Sequence, residues 1–217
     1  MPTRKTGSSM PSSTTRERVL AAAEKLLGQG AAEFSMRDLA TAAGVSFATP
    51  FNQFGSKLAI MRTLSAQRIA TMHERLAVAD LPDTSPDRVL EAVRIAAEVM
   101  VEAPAVNRTI MGVIGAPGSE PGETRGRSQR FWTEALGDGT GLSPAARELG
   151  LLLLPDHLAI AFRGVLSFWT AGEIRDDDLV ANAQAVAAAM LLGFVEGDER
   201  ELLTGLLGRV ARRPLAP

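Results

Sequence analysis

The sequence predicts an all-α fold: an N-terminal three-helix unit built around a helix-turn-helix, followed by a larger helical domain. Three observations predict it. Apolar residues recur at helical spacing, and neither strand alternation nor an internal repeat is present. Caps, glycines and prolines punctuate these runs where helices start and stop. Residues 35–57, SMRDLATAAGVSFATPFNQFGSK, fit two short helices joined by a tight turn and followed by the cap of a third.

The elements follow in order. Residues 1–13, MPTRKTGSSMPSS, are polar and rich in Pro, Gly and Ser, so a disordered tail is expected. Thr14 and Glu17 form a capping box, and Val19, Leu20, Ala23, Leu26 and Leu27 make one apolar stripe. Gly28 and Gly30 end that helix. Ser35 stands three residues before Asp38 as a short-armed capping box, opening a helix at Met36 with Leu39, Ala40 and Ala43 on one face. Gly44 takes the place where a helix end wants positive φ, Val45 plugs the turn, and Ser46 is an N-cap for residues 47–54. Pro50 falls in the first turn of that helix, where a missing N–H costs little. Gly55 bounds it. Ser56 caps the next helix, about 57–79, with Lys57 first and Leu58, Met61, Leu64, Met72 and Leu76 toward a core.

From about Arg16 to Leu64 the chain resembles the DNA-binding domain of the TetR family of transcriptional regulators. The residues that carry the resemblance are RERVLAAAEKLLGQG, FSMRDLATAAGVS and ATPFNQFGSK, in that order and spacing. The remainder resembles the family only in length and helical character. The resemblance implies three segments: a tail over 1–13, a helix-turn-helix domain over 14–64, and a helical ligand-binding and dimerisation domain over 65–217. It also implies a homodimer paired through its last long helices, reading an inverted-repeat operator in double-stranded DNA. A repressor released by a small-molecule effector is the expected function. The family usually has a tyrosine where this chain has Phe51, so a phosphate contact from that hydroxyl is missing.

DNA contacts follow by role. On the 47–54 helix Phe47, Thr49, Asn52 and Gln53 are expected to be exposed. Asn and Gln can pair with an adenine edge, and Thr and Phe can touch a thymine methyl. Ala48 and Phe51 complete the surface assigned to DNA, although Phe51, like Phe54, is expected to lean into the core. No arginine lies on this helix, so Arg37 is the substitute for the common guanine contact. Ser35, Ser46 and Lys57 are placed for phosphates, and Arg4 and Lys5 in the tail for the backbone or minor groove.

Further helices are expected over residues 85–103, 105–113 and 124–136, with a Gly/Pro-rich loop at 115–122 that could act as a lid. Ser85-Pro86 and Ser143-Pro144 read as cap and first turn, and Pro155 as an interruption or kink before a helix over 156–172. Asp176–Asp178 supplies acidic groups to the start of a helix reaching about Gly193, and Asp198 opens the last, ending before Pro214. Met100, Met111, Trp132, Phe162 and Trp169, with Phe168 and Phe194, are candidates for an apolar ligand pocket. His157 and Arg163 on the same helix read as satisfied polar groups. Arg125, Arg127 and Arg130 could bind an anion or simply form a solvated face. Leu158, Ala161, Val165 and Phe168 on one helix, and Ala183, Val186, Ala187, Met190 and Leu191 on the next, can pack within one chain or between two copies.

Composition sets the bounds. The chain has 217 residues, 46% of them apolar, enough for a real core in one or two domains. It has no cysteine, hence no disulfide or thiolate metal site. No apolar run of membrane-spanning length was found, the longest being residues 183–195, and the tail lacks a signal-peptide core, so a cytoplasmic protein is expected. Net charge is −2, but residues 1–80 carry ten basic and six acidic side chains, while the rest is net acidic. A positive head on a negative body suits a phosphate-binding reader joined to a sensor. Two histidines stand in separate segments, and no nucleophile, metal-spaced or phosphate-cradling motif appears, so neither an enzyme nor a cofactor is expected. An activator of the same family, or a helical binding protein with weakened DNA binding, remains as an alternative.

Overall fold

The computed structural model describes residues 14–31, 33–116 and 122–212. The tail expected over 1–13, with Arg4 and Lys5, lies outside them, as does most of the 115–122 loop. Among the described residues there are ten α-helices and no strand. They are α1 Thr15–Gly28, α2 Met36–Ala43, α3 Ala48–Phe54, α4 Lys57–Val78, α5 Ser85–Val101, α6 Pro104–Gly115, α7 Thr124–Leu136, α8 Arg147–Thr170, α9 Leu179–Leu191 and α10 Gly197–Ala211. The chain divides into two units, Met1–Ile60 and Met61–Pro217, the division falling inside α4.

In the first unit the caps act as the residue types dictate. Thr14 accepts from the Glu17 N–H and the Glu17 carboxylate accepts from the Thr14 N–H. Ser35 and Asp38 do the same at α2. Gly44 ends α2 with φ 62° and ψ 42°, and the N–H groups of Gly44 and Val45 return to the Thr41 and Ala40 carbonyls. That is a Schellman ending, which needs a residue at ease in the left-handed region. Val19, Ala23, Leu27, Leu39 and Ala40 are buried, each large one contributing about 1.5–3 kcal/mol by leaving water.

The start of α3 differs from the expected Ser46 cap. Phe47 already has helical dihedrals, and the Ser46 hydroxyl meets the Thr49 hydroxyl at 2.8 Å instead of capping a backbone N–H. Pro50 has no N–H to give the Ser46 carbonyl, so Thr49 donates to it at 2.9 Å and tightens the first turn. Ser56 caps α4 through the Ala59 N–H as expected.

In the second unit α5 packs on α7 and α9, and α8 packs on α6, α7 and α9, around one apolar core. The cap of α5 is Thr84, not Ser85. Ser85 is fully buried and its hydroxyl donates to the Leu136 carbonyl at 2.6 Å, a tertiary partner that the local pattern does not reveal. Ser143-Pro144 does not open a helix. Its N–H is held by the Phe194 carbonyl at 2.8 Å, and α8 begins at Arg147. Nor does Pro155 interrupt α8, which runs through it with Leu154, Pro155 and Leu158 buried. The acidic run Asp176–Asp178 forms one 3-10 turn leading into α9.

By length and composition α8 could cross a membrane, contrary to the sequence expectation that no such run exists. Arg147, Glu148, Asp156, His157 and Arg163 break the run into pieces that are not apolar enough alone. One such helix is weak evidence of spanning, since core helices of soluble proteins pass the same test; 44% of this window is buried inside the fold.

Candidate functional site

The helix-turn-helix is held by two arginines of α1 that sequence patterning did not single out. Arg18 donates to the carbonyls of Ala43 and Gly44, both at 2.8 Å, at the carbonyl end of α2. Arg16 donates to the Gln53 carbonyl at 3.0 Å near the end of α3, with its guanidinium 4.2 Å over the Phe54 ring. Cations at helix C-termini pair with exposed carbonyls and with the helix dipole. Arg-x-Arg in α1 was the available signal, but which carbonyls it reaches depends on the packing.

The surface of α3 and its flanks carries most of the residues assigned to DNA. Ala48, Asn52 and Gln53 are exposed, as are Ser35, Arg37 and Ser46. Two expectations change. Thr49 is half-buried with its hydroxyl paired to Ser46. Phe51 is 43% exposed rather than core, and its ring meets the exposed Phe47 ring edge-on at 5.6 Å. The Arg37 guanidinium lies 5.4 Å from the Phe47 ring centre. Half-buried Lys57 sets its ammonium 4.4 Å over the Phe34 ring. The exposed surface is thus aromatic and amide-bearing with cations at its margin, a set that fits base edges and thymine methyls at the centre and phosphates outside.

Hydrogen bonds from the Ser35 backbone N–H, then from its hydroxyl, hold the Asp38 carboxyl below its ordinary pKa. A depressed folded pKa adds stability that is present above the ordinary carboxylate range and lost as pH falls through the folded value. Asp38→Asn should therefore flatten the acid limb of the helix-turn-helix unfolding profile. Circular dichroism melts from pH 7 down to about 3 check this, and an unchanged acid limb would refute it.

The second unit holds a cavity of about 350 Å³. Met100, Met111, Trp132 and Phe162 line it, along with Ile69, Met72, Ile110 and Phe131. Phe131, Trp132 and Phe162 form an edge-on series with centroids 4.9 and 5.6 Å apart. Trp169 does not line it. It is fully buried in the core, donating from Nε1 to Asp176 at 2.8 Å under the Arg108 guanidinium. Phe168 is 55% exposed, and Phe194 packs near Gly150. Sequence reasoning missed Arg68 and Asn107. Asn107 is buried, accepts from Arg68 Nε at 2.9 Å, and donates to the Val99 and Met100 carbonyls at the end of α5. An asparagine among apolar residues of α6 was the only hint. Arg163, read as a satisfied polar group, lines the cavity, whereas His157 is exposed outside it. Arg125 also lines it while pairing with Asp156. Arg127 pairs with Glu123. Among the described residues no cluster of metal-ligating side chains is present.

The residues named for pairing divide. Leu158, Val165, Ala183, Ala187 and Leu191 are buried within the chain's own core and offer no free surface. Val186 is exposed, and Met190 and Ala161 are half-buried. The exposed apolar side chains of α8 include Leu149, Leu152, Ile160 and Phe168. The split arises because period alone does not say which face of a doubly apolar helix meets its own chain.

Residues 19–64 match the family model described as bacterial regulatory proteins, tetR family. No curated protein sequence matches the chain. A TetR transcriptional regulator from Rhodococcus sp. RHA1 superposes with a TM-score of 0.63 at 19% identity, covering 82% of this chain and 96% of that one. A tetR-family transcriptional regulator from Streptomyces coelicolor gives 0.51 at 16% identity, covering 91% and 88%. A gamma-butyrolactone receptor (ArpA like protein) gives 0.52 at 15%, covering 90% and 96%. The matched segment and the shared helical architecture together mean that residues 19–64 are similar to the N-terminal region of tetR-family regulatory proteins and that the chain has the fold of TetR-type transcriptional regulators.

Proposed function

We propose that the protein is a cytoplasmic, non-enzymatic repressor that binds an inverted-repeat operator as a homodimer and leaves it when a small molecule binds the second-unit cavity. The observation that carries this reading is the cavity's wall. Ser65, Arg68, Ile69 and Met72 of α4 line it, and α4 is the helix that opens at Lys57 directly after the reader. A ligand there changes DNA affinity only if it prefers one arrangement of α4 over another. The exposed apolar residues Ile160 and Phe168 of α8 and Val186 of α9 support pairing of two copies. Two readers on one dimer match two half-sites.

The test is binding of the full-length protein to fragments of its own genomic neighbourhood at several salt concentrations. Tight retention on one inverted repeat, far above random DNA, supports the reading. Weak, salt-sensitive binding to every fragment overturns it in favour of a helical binding protein with a weakened reader. Lys57→Ala should weaken binding to all sequences and lower the salt slope by about one unit. Asn52→Ala or Gln53→Ala should instead relax preference at single base pairs, by about 1–3 kcal/mol each. Uniform loss on all sequences from either amide change would remove its role as a base reader.

A further inference from the structure

The geometry points to an effector that is an apolar molecule bearing one acidic group, with the Arg163 guanidinium receiving the anion; this rests on the cavity being the effector site. The described residues of the cavity wall include Arg68, Arg125 and Arg163 and no carboxylate. The three arginines are not equivalent. Arg68 Nε is engaged by Asn107 at 2.9 Å. Arg125 grips Asp156 with two bonds of 2.8 and 2.6 Å. Arg163 donates to the Met111 sulfur at 3.1 Å and the Met111 carbonyl at 3.2 Å, both neutral. No carboxylate among the described residues forms an ion pair with it.

Arg163 is half-buried, and burial pushes its pKa below that of a free guanidinium. The group nonetheless stays charged, because arginine does not give up its proton at neutral pH. A cation held away from water without a counter-ion is costly. An anion arriving in an apolar wall relieves that cost, and the guanidinium fork offers it paired donors. A cationic head would meet the positive charge of Arg163 and Arg68, and a neutral one would leave Arg163 without a counter-charge among the described residues. Gly115 supplies a second sign that space is kept around this head group. A Cβ at that position would come within 2.6 Å of an Arg163 terminal nitrogen. The other polar wall groups, such as the hydroxyls of Ser65 and Ser128, are too few to hold a broadly polar ligand.

The test uses full-length protein and probes matched in tail: decanoate, decanol and decyltrimethylammonium, and the acid, alcohol and amine of a phenylbutyl tail. Calorimetric titration gives affinity, and Trp132 fluorescence, read in full-length protein carrying Trp169→Phe, reports entry into the cavity. The acids should bind tightest. Arg163→Met should weaken them about tenfold or more and leave the alcohols within about twofold, with Arg163→Lys in between. Gly115→Ala, which displaces the guanidinium without removing it, should weaken the acids selectively as well. Thermal melts establish that each variant is folded. Tighter binding of alcohols or amines, or acid affinity indifferent to Arg163→Met, overturns the acidic class while leaving the cavity as an effector site. Failure of every probe to perturb Trp132 overturns the cavity reading itself, and this inference with it.

Discussion

Trp169→Ala should lower the stability of the second unit by about 3–5 kcal/mol, the largest loss expected from any single substitution considered for this chain. Three effects act together. The indole is completely buried against the α8–α9 core, so its removal leaves a cavity as well as losing apolar contact. Its Nε1 donates to Asp176 Oδ1 at 2.8 Å, and the same oxygen accepts from Arg108 at 2.8 Å. Arg108 in turn lies 4.7 Å over the indole ring and donates to the Trp169 carbonyl at 3.1 Å. Deleting the ring strips the cation of its aromatic seat and the carboxylate of one donor. Trp169→Phe restores most of the volume but not the N–H, and should cost about 1–2 kcal/mol. Urea unfolding followed by Trp132 fluorescence measures both. A loss below about 1 kcal/mol for the alanine variant would mean that the core closes over the gap.

Gly44→Val should abolish operator binding while sparing the unfolding transition of the second unit. Gly44 sits at φ 62° and ψ 42°, where a side chain costs about 1–2 kcal/mol and a β-branched one more. Its Cβ would also approach an Arg18 terminal nitrogen to 3.2 Å, the atom that bonds the Ala43 and Gly44 carbonyls. Loss of those bonds adds about another 1–2 kcal/mol. A unit bounded at Ile60 buries too little to absorb the sum. Gly44→Asn, a residue that tolerates the left-handed region, should be milder. Gel retardation with calorimetry separates the two units, and wild-type retention by the valine variant would refute the argument.

Much of the first unit was legible because its signals are local. Two capping boxes, the Gly44 ending and the Ser56 cap rest on residues a few positions apart, and each is found as read. The departures have tertiary causes. Ser85 prefers the Leu136 carbonyl to a cap, and the Ser143 N–H prefers the Phe194 carbonyl. Ser46 differs for a local reason, the missing N–H of Pro50, which the pattern contained but cap propensity outweighed. At the candidate site, Asn52 and Gln53 were legible as exposed positions on a short polar face. Arg16 and Arg18 were not, since their carbonyl partners are 37 and 26 residues away. For the cavity, hydrophobicity picked out Trp132 and Trp169 equally. Only packing separates the one that lines a space from the one enclosed in the core.

Met72, Met100 and Met111, three of the chain's eight methionines, stand in the wall of a single cavity. Unbranched thioether side chains reshape at little cost, so such a wall follows the outline of whatever fills it. Discrimination between tails of different branching or length is therefore expected to be shallow, and selectivity falls to the charged groups. The same softness carries a vulnerability. Oxidation to methionine sulfoxide places polar oxygens where apolar contact was made, so the proposed effector response is expected to be lost on oxidation.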